Sequence, residues 1–231
     1  MEVYTLDIGN TRSKIGTFIS GKLNGVQTFK DHTALVEFLS NLPKESIIGC
    51  SVGKKPAIFS EDIRWVTPVN NQVLILDIDE PEGLGADRYV GLLGLLQKFP
   101  KKEVLLIDAG TCITYEYLYD KQYHGGAISP GIQLRFKSMN DYTEALPLLK
   151  GNQNQTLYIG KNTDEAMNSG VLMGVIDEVS GRIQDWQSKS NEGIVVLTGG
   201  DAEFLGNHLK TKIFVEPWLL HYGLYYAHQS L

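Results

Sequence analysis

Cysteine is nearly missing from this chain: its 231 residues include two, Cys50 and Cys112, each bordered by apolar, strand-like sequence. A disulfide framework is thereby excluded, and reduced, buried thiols in a cytoplasmic protein are expected. Long basic runs are absent as well. No Lys/Arg run exceeds a pair such as Lys101-Lys102 and the formal net charge is −6, so no nucleic-acid partner and no membrane-surface partner is expected. No uncharged apolar stretch approaches the roughly 18 residues of a membrane helix, and the chain enters Val3-Tyr4-Thr5-Leu6 without a signal-like segment. The five histidines, at 32, 124, 208, 221 and 228, lack metal-ligand spacing. Neither Gly-x-Gly-x-x-Gly nor a P-loop occurs, so a bound phosphate has to be held in some other way.

What the chain does contain is a repeated phrase. Leu6-Asp7-Ile8-Gly9-Asn10-Thr11 near the start and Ile107-Asp108-Ala109-Gly110-Thr111 near the middle are each an apolar run closing on Asp, Gly and Thr, followed by a second strand-like run. This reads as strand, phosphate-sized turn, strand, used twice. Glycine allows close backbone approach to an anion, Thr hydroxyls and turn amides donate hydrogen bonds, and Asp can hold a charge-neutralising cation. A single copy is equally well a hairpin turn; two copies at matched points favour nucleotide binding.

The coarse pattern repeats around these turns. Strands are expected near 2–8, 12–19, 23–29, 46–52 and 73–77 with a helix after Asp31, and again near 103–108, 112–119, 123–129 and 193–197. The apolar helical face of Arg88 to Phe99, stopped by Pro100, puts the boundary between an N-terminal α/β half, 1–100, and a C-terminal half, 101–231. A long helix is expected from Asp164 to about Ser188, since Val171, Val175, Val179 and Ile183 recur every four residues. Gly170 and Gly174, one turn apart in it, suggest close approach by another helix or a ligand. The polar stretch from Asp141 to Gly160 reads as a loop or lid.

Two further motifs could carry chemistry. Leu84-Gly85-Ala86-Asp87-Arg88 sets a carboxylate beside a guanidinium at a helix start, readable either as a helix cap or as a general base with an anion clamp. Thr198-Gly199-Gly200-Asp201 follows a strand and precedes a helix, where a nucleotide could lie.

Taken in order, these segments resemble the type III pantothenate kinases of the actin, sugar-kinase and chaperone ATPase superfamily. Asp7-Ile8-Gly9-Asn10-Thr11, Gly85-Ala86-Asp87-Arg88, Asp108-Ala109-Gly110-Thr111, Gly125 to Gly131, Asn162-Thr163 with Ser169-Gly170, and Thr198-Gly199-Gly200 follow the family order. The resemblance implies two ribonuclease-H-like α/β halves with an interdomain nucleotide cleft, and transfer of the ATP γ-phosphoryl group to pantothenate, the opening step of coenzyme A synthesis. It implies Asp87 as the proton acceptor, with Gly85, Ala86 and Arg88 as substrate contacts, joined by Thr163 supplied from the partner subunit of a homodimer. Asp7, Ile8, Gly9, Asn10, Thr11, Arg12, Ser13 and Lys14 become the phosphate-binding segment, with Thr111 a further ATP contact. Asp108 becomes the ligand of a monovalent cation, K⁺ or NH₄⁺, and Asp7 an organiser of Mg²⁺ through water. Two positions depart from the family pattern: Ile78 stands where a substrate-contacting tyrosine is usual, and Cys112 where a small residue such as Ala is more common. A kinase for another hydroxylated substrate, or a non-catalytic ATP-gated regulator, remains open on the motifs themselves.

Overall fold

The structure is a computed structural model and describes residues 2–53, 63–71, 73–151, 153, 157–190 and 192–230. The chain forms two compact units, one of Met1–Lys101, Leu118–Gly125 and Trp218–Leu231, the other of Lys102–Tyr117 and Gly126–Pro217.

The first unit is built on a five-stranded sheet in the order β3-β2-β1-β4-β5, with strands β1 (Glu2–Ile8), β2 (Ser13–Ile19), β3 (Lys22–Phe29), β4 (Ile47–Ser51) and β5 (Arg64–Trp65). Strand β1 lies between an antiparallel partner, β2, and a parallel one, β4, and the face that carries Leu6 and Ile8 is buried. Helix α1 (His32–Ser40) starts at Asp31, whose carboxylate accepts from the amides of Thr33 and Ala34 at 3.2 Å. Leu35 and Leu39, one turn apart on α1, pack with Leu6, Ile8, Ile15 and Ile47 in one apolar cluster.

Helix α2 (Ala86–Lys98) ends ahead of Pro100, and every residue from Tyr89 to Leu95 is buried. Burial all round requires a second cover, and helix α6 (Leu219–Gln229) supplies it. The crossing is close because Gly223 rests on the Val90 carbonyl, where a Cβ would collide with backbone. Helix α6 is also tied to β1, since Thr5 Oγ1 and His221 Nδ1 lie 2.8 Å apart in the interior. Burial depresses the His221 pKa to about 3, so this link uses a neutral imidazole.

The second unit carries β7 (Val104–Ala109), β8 (Cys112–Tyr119), β9 (Gln122–Pro130), β10 (Ile194–Thr198) and β11 (Phe214–Val215). Their sheet runs β11-β10-β7-β8-β9-β6, and its last member, β6 (Ile75–Leu76), pairs with Gln122 and Tyr123 inside the first unit's share of the chain. The 73–77 segment is thus a two-residue strand on the β9 hairpin tip. The repetition read from the sequence extends to turn geometry: Ser20-Gly21 after β2 and Asp120-Lys121 after β8 all have positive φ, 49°, 82°, 50° and 62°. Paired left-handed residues make the two-residue hairpin turn that matches strand twist.

Helix α3 (Ile132–Asp141) and helix α4 (Thr163–Lys189) belong to this unit, with α5 (Ala202–His208) after β10. Asn162 caps α4 by accepting from the Glu165 amide at 2.9 Å, and Glu165 reaches back to the Lys161 amide at 2.8 Å. The expected stripe of Val171, Val175, Val179 and Ile183 is buried, while Gly170 is open: apart from the helix's own adjoining backbone, no atom of the described residues lies within 4 Å of a Cβ placed there. The described residues between α3 and α4 form neither helix nor strand. Cys50 is buried as expected, whereas Cys112, at the exposed rim where β8 leaves its turn, is half-buried; neither forms a disulfide.

Candidate active site

The first phosphate-sized turn is made by Gly9 to Arg12 between β1 and β2, closed by the Gly9 amide donating to the Arg12 carbonyl at 3.1 Å. The amides of Val52 and Gly53, just past β4, both donate to the Ile8 carbonyl. Asn10, Thr11 and Arg12 are exposed at the tip, and Ser13 and Lys14 lead half-buried into β2. Asp7 sits one residue before Ile8, in register with Lys14 on one side and Cys50 on the other.

That position is electrostatically unusual. Burial raises the Asp7 pKa to about 6, against the attraction of Lys14; the charge of Asp87 raises it further, and the Cys50 thiol, 3.9 Å away, lowers it. Asp7 and Asp87 are thus neighbours in one field, although 80 residues of sequence (87 − 7) separate them. Between about pH 4 and 6 the folded chain holds a proton at Asp7 that the unfolded chain has released, so stability falls as pH rises through that window. Asp7→Asn is expected to raise stability at pH 7 by about 2 kcal/mol, with the gain gone at pH 4. Urea unfolding of both proteins at the two pH values checks it; a variant less stable at pH 7 contradicts the assignment.

Asp87 lies in the first turn of α2 but does not cap it. The cap position is Gly85, which makes no side-chain cap bond, and Asp87 Oδ1 instead accepts from the amide of Arg88 at 2.8 Å. Burial pushes its pKa up, with that amide and the Arg88 charge opposing. Arg88 Nη2 in turn donates to the hydroxyl of Tyr123 at 2.8 Å. Gly85 and Ala86 form the bare backbone beside this pair, and Ile78 packs against Gly125 on the hairpin tip.

In the second unit the matching turn is tighter. Gly110 and Thr111 connect β7 to β8, the Gly110 amide donates to the Cys112 carbonyl at 2.9 Å, and the Gly131 amide donates to the Thr111 carbonyl at 3.0 Å. Thr111 is exposed, and the Asp108 carboxylate and Ala109 carbonyl both crowd Gly199, which has φ +93°. Gly199 opens the loop before α5, whose Asp201 amide donates to the Ala109 carbonyl and whose Asp201 carboxylate accepts from Gln153. Thr163, at the first turn of α4, lines a groove of about 630 Å³ with Arg135, Met167, Gly170 and Val171. Arg135 is held by the Pro130 carbonyl and by Glu178, which also accepts from Tyr115 and Ser129.

The sequence-derived residues therefore gather as two sets. Asp7 to Lys14 with Gly85 to Arg88 lie in the first unit; Asp108, Thr111 and Thr163 lie in the second. Sequence reasoning missed Cys50 as a neighbour of Asp7, Tyr123 as the partner of Arg88, and Arg135 beside Thr163. Only the β-strand register could have suggested the first.

Known proteins are similar to this chain in sequence and in fold. The chain is 36% identical to the type III pantothenate kinase of Flavobacterium johnsoniae, across 92% of this chain and 91% of that protein. Among solved structures, a Campylobacter jejuni protein described as a Baf family transcriptional activator aligns with a TM-score of 0.64 at 20% identity, over 99% of this chain and 98% of that one. A Sinorhizobium meliloti protein described as a 2-dehydro-3-deoxygalactonokinase aligns at 0.62 and 15%, over the same shares. The fold, mixed α/β with two sheets, is accordingly shared with these proteins. The family profile described as type III pantothenate kinase matches residues 4–185, a span holding both Asp-Gly-Thr turns and Asp87, and the chain belongs to the type III pantothenate kinase family.

Proposed function

We propose that this chain transfers the γ-phosphoryl group of ATP to the primary hydroxyl of pantothenate, opening coenzyme A synthesis. One observation carries the reading beyond family membership: Asp87, flanked by Arg88, shares an electrostatic field with Asp7 at the base of the first phosphate turn. A carboxylate positioned to take a hydroxyl proton and an arginine beside it suit an acceptor bearing both an alcohol and an anionic group. Phosphoryl transfer asks chiefly for alignment and neutralised charge. The turn amides and hydroxyls of Gly9 to Ser13, with Lys14 and Thr111, supply these for the phosphates, and Gly85, Ala86 and Arg88 hold the acceptor.

The donor set also fits the cations. Asp7 is a carboxylate whose raised pKa falls back once a cation favours its ionised form, as expected of a group that organises Mg²⁺ through water. Asp108 and the Ala109 carbonyl bring oxygen donors together at Gly199, the donor type suited to K⁺ or NH₄⁺. When bound, these cations offset phosphate charge.

A homodimer completes the acceptor pocket, with the partner subunit's Thr163 contacting pantothenate. Its support is the open α4 surface: Gly170 has no described atom over it, and nearby in sequence Tyr158 and Ile159 are each 76% exposed. The enzyme is cytoplasmic on this reading. Two free cysteines support that, and no described helix is long and apolar enough to cross a membrane.

The test follows phosphopantothenate directly in the presence of ATP, Mg²⁺ and pantothenate, with and without K⁺ or NH₄⁺, on the species resolved by sedimentation. Cation-dependent product from a species of twice the chain mass is expected. ATP binding without product under any cation overturns the activity, and a fully active monomer overturns the dimer.

A further inference from the structure

Tyr123 is one of the largest fully buried side chains, at 1% exposure, and its hydroxyl meets Arg88 Nη2 at 2.8 Å. Its backbone is fixed on the β6 side, where Leu76 is its register partner and the Asp77 amide donates to its carbonyl at 2.8 Å. The adjoining two-residue turn, Asp120-Lys121, leaves little freedom in the hairpin tip that presents it. A rigid phenol therefore meets a long, flexible arginine. The contact has a particular electrostatic consequence: a phenol accepts a hydrogen bond without carrying charge, so it orients the guanidinium and leaves its positive charge intact, whereas a carboxylate would cancel it.

We propose that Tyr123 is a positioning residue for the acceptor substrate: it holds the Arg88 guanidinium in the orientation that receives the anionic end of pantothenate. The proposal rests on the pantothenate kinase reading above. It gives a role to the reach of Arg88 toward the hairpin tip, while the Arg88 amide occupies Oδ1 of Asp87.

Pantothenate and ATP binding should be titrated calorimetrically for the wild type, Tyr123→Phe, Arg88→Ala and the double variant, with panthenol, the same molecule bearing an alcohol in place of its carboxylate, as a second acceptor. Phenylalanine keeps the ring, so the fold and the ATP affinity are expected to stay as they are. Pantothenate affinity is expected to fall about 10-fold in Tyr123→Phe, the scale of a lost hydrogen bond to a charged group. Panthenol affinity is expected to be unchanged, and the double variant to bind pantothenate no more weakly than Arg88→Ala. Wild-type pantothenate affinity in Tyr123→Phe, an equal loss for panthenol, or a parallel loss of ATP affinity overturns the proposal. Should the wild type not bind pantothenate, the functional reading fails and this proposal falls with it; wild-type binding with an unaffected Tyr123→Phe removes this proposal alone.

Discussion

Replacing Asp87 with Asn is expected to lower kcat about 1,000-fold, within the range typical of a lost general base. ATP affinity should be little changed. The substitution is nearly isosteric, and Asn Oδ1 can still accept from the Arg88 amide at the start of α2, so the helix start is preserved and the loss reports on proton transfer. The pH profile gives an independent check. Burial raises the Asp87 pKa, and the base must be ionised to act, so activity should decline with acidification above the ordinary carboxylate range. A variant retaining a tenth or more of wild-type kcat would take Asp87 out of the chemistry.

Gly131→Ala is the second large effect. A Cβ at this position meets the Thr111 carbonyl oxygen at 2.7 Å and the Gly110 carbonyl oxygen closer still. Both are backbone atoms of the Gly110-Thr111 turn between β7 and β8, and the Gly131 amide is already bonded to the Thr111 carbonyl. Neither can swing aside as a side-chain tip could. The methyl group should push the Gly110-Thr111 turn away from the start of α3, destabilising the fold by about 3 kcal/mol and weakening ATP binding at least 10-fold. Gly181→Ala on the exposed side of α4 serves as the contrast: apart from the helix's own adjoining backbone, no atom of the described residues lies within 4 Å of a Cβ placed there, and helix propensity predicts a gain of about 0.5–1 kcal/mol. Thermal unfolding and nucleotide titration of both variants check the pair, and a Gly131→Ala protein as stable as Gly181→Ala would refute the close-contact argument.

Much of the architecture is legible in the sequence because its signals are local. Short apolar, β-branched runs closing on turn residues mark β1 and β7 and a second strand-like run follows each, the four-residue recurrence marks α4, and Asp31 and Asn162 cap their helices as such residues do. The parts that are not legible depend on distant partners. The α6 segment, Leu219–Gln229, mixes tyrosines and histidines with a glycine, and only the Val90 carbonyl explains why Gly223 belongs there. The β6 strand is two residues long and takes its identity from β9, nearly fifty positions onward. Gly170 and Gly174 suggest a crowded helix face; the described residues leave Gly170 uncovered and bring Arg135 only to 3.9 Å from a Cβ placed at Gly174. In the site, Asp87 and Arg88 stand out as a motif, but the Tyr123 hydroxyl that meets Arg88 lies 35 residues away and has no sequence signature. The same holds for Cys50 beside Asp7, which only the pairing of β1 with β4 brings together.

The return of α6 to the first unit bears on how the chain is made. During synthesis, β1 to α2 leave the ribosome more than a hundred residues ahead of the helix that covers Tyr89 to Leu95 and shelters Thr5. Through that interval the nascent chain carries an exposed apolar ridge on α2 while the later strands, from β7 to β11, are still being added. A pause late in translation would prolong that exposure, and proteolysis or chaperone capture would then act on α2 before residue 219 is made.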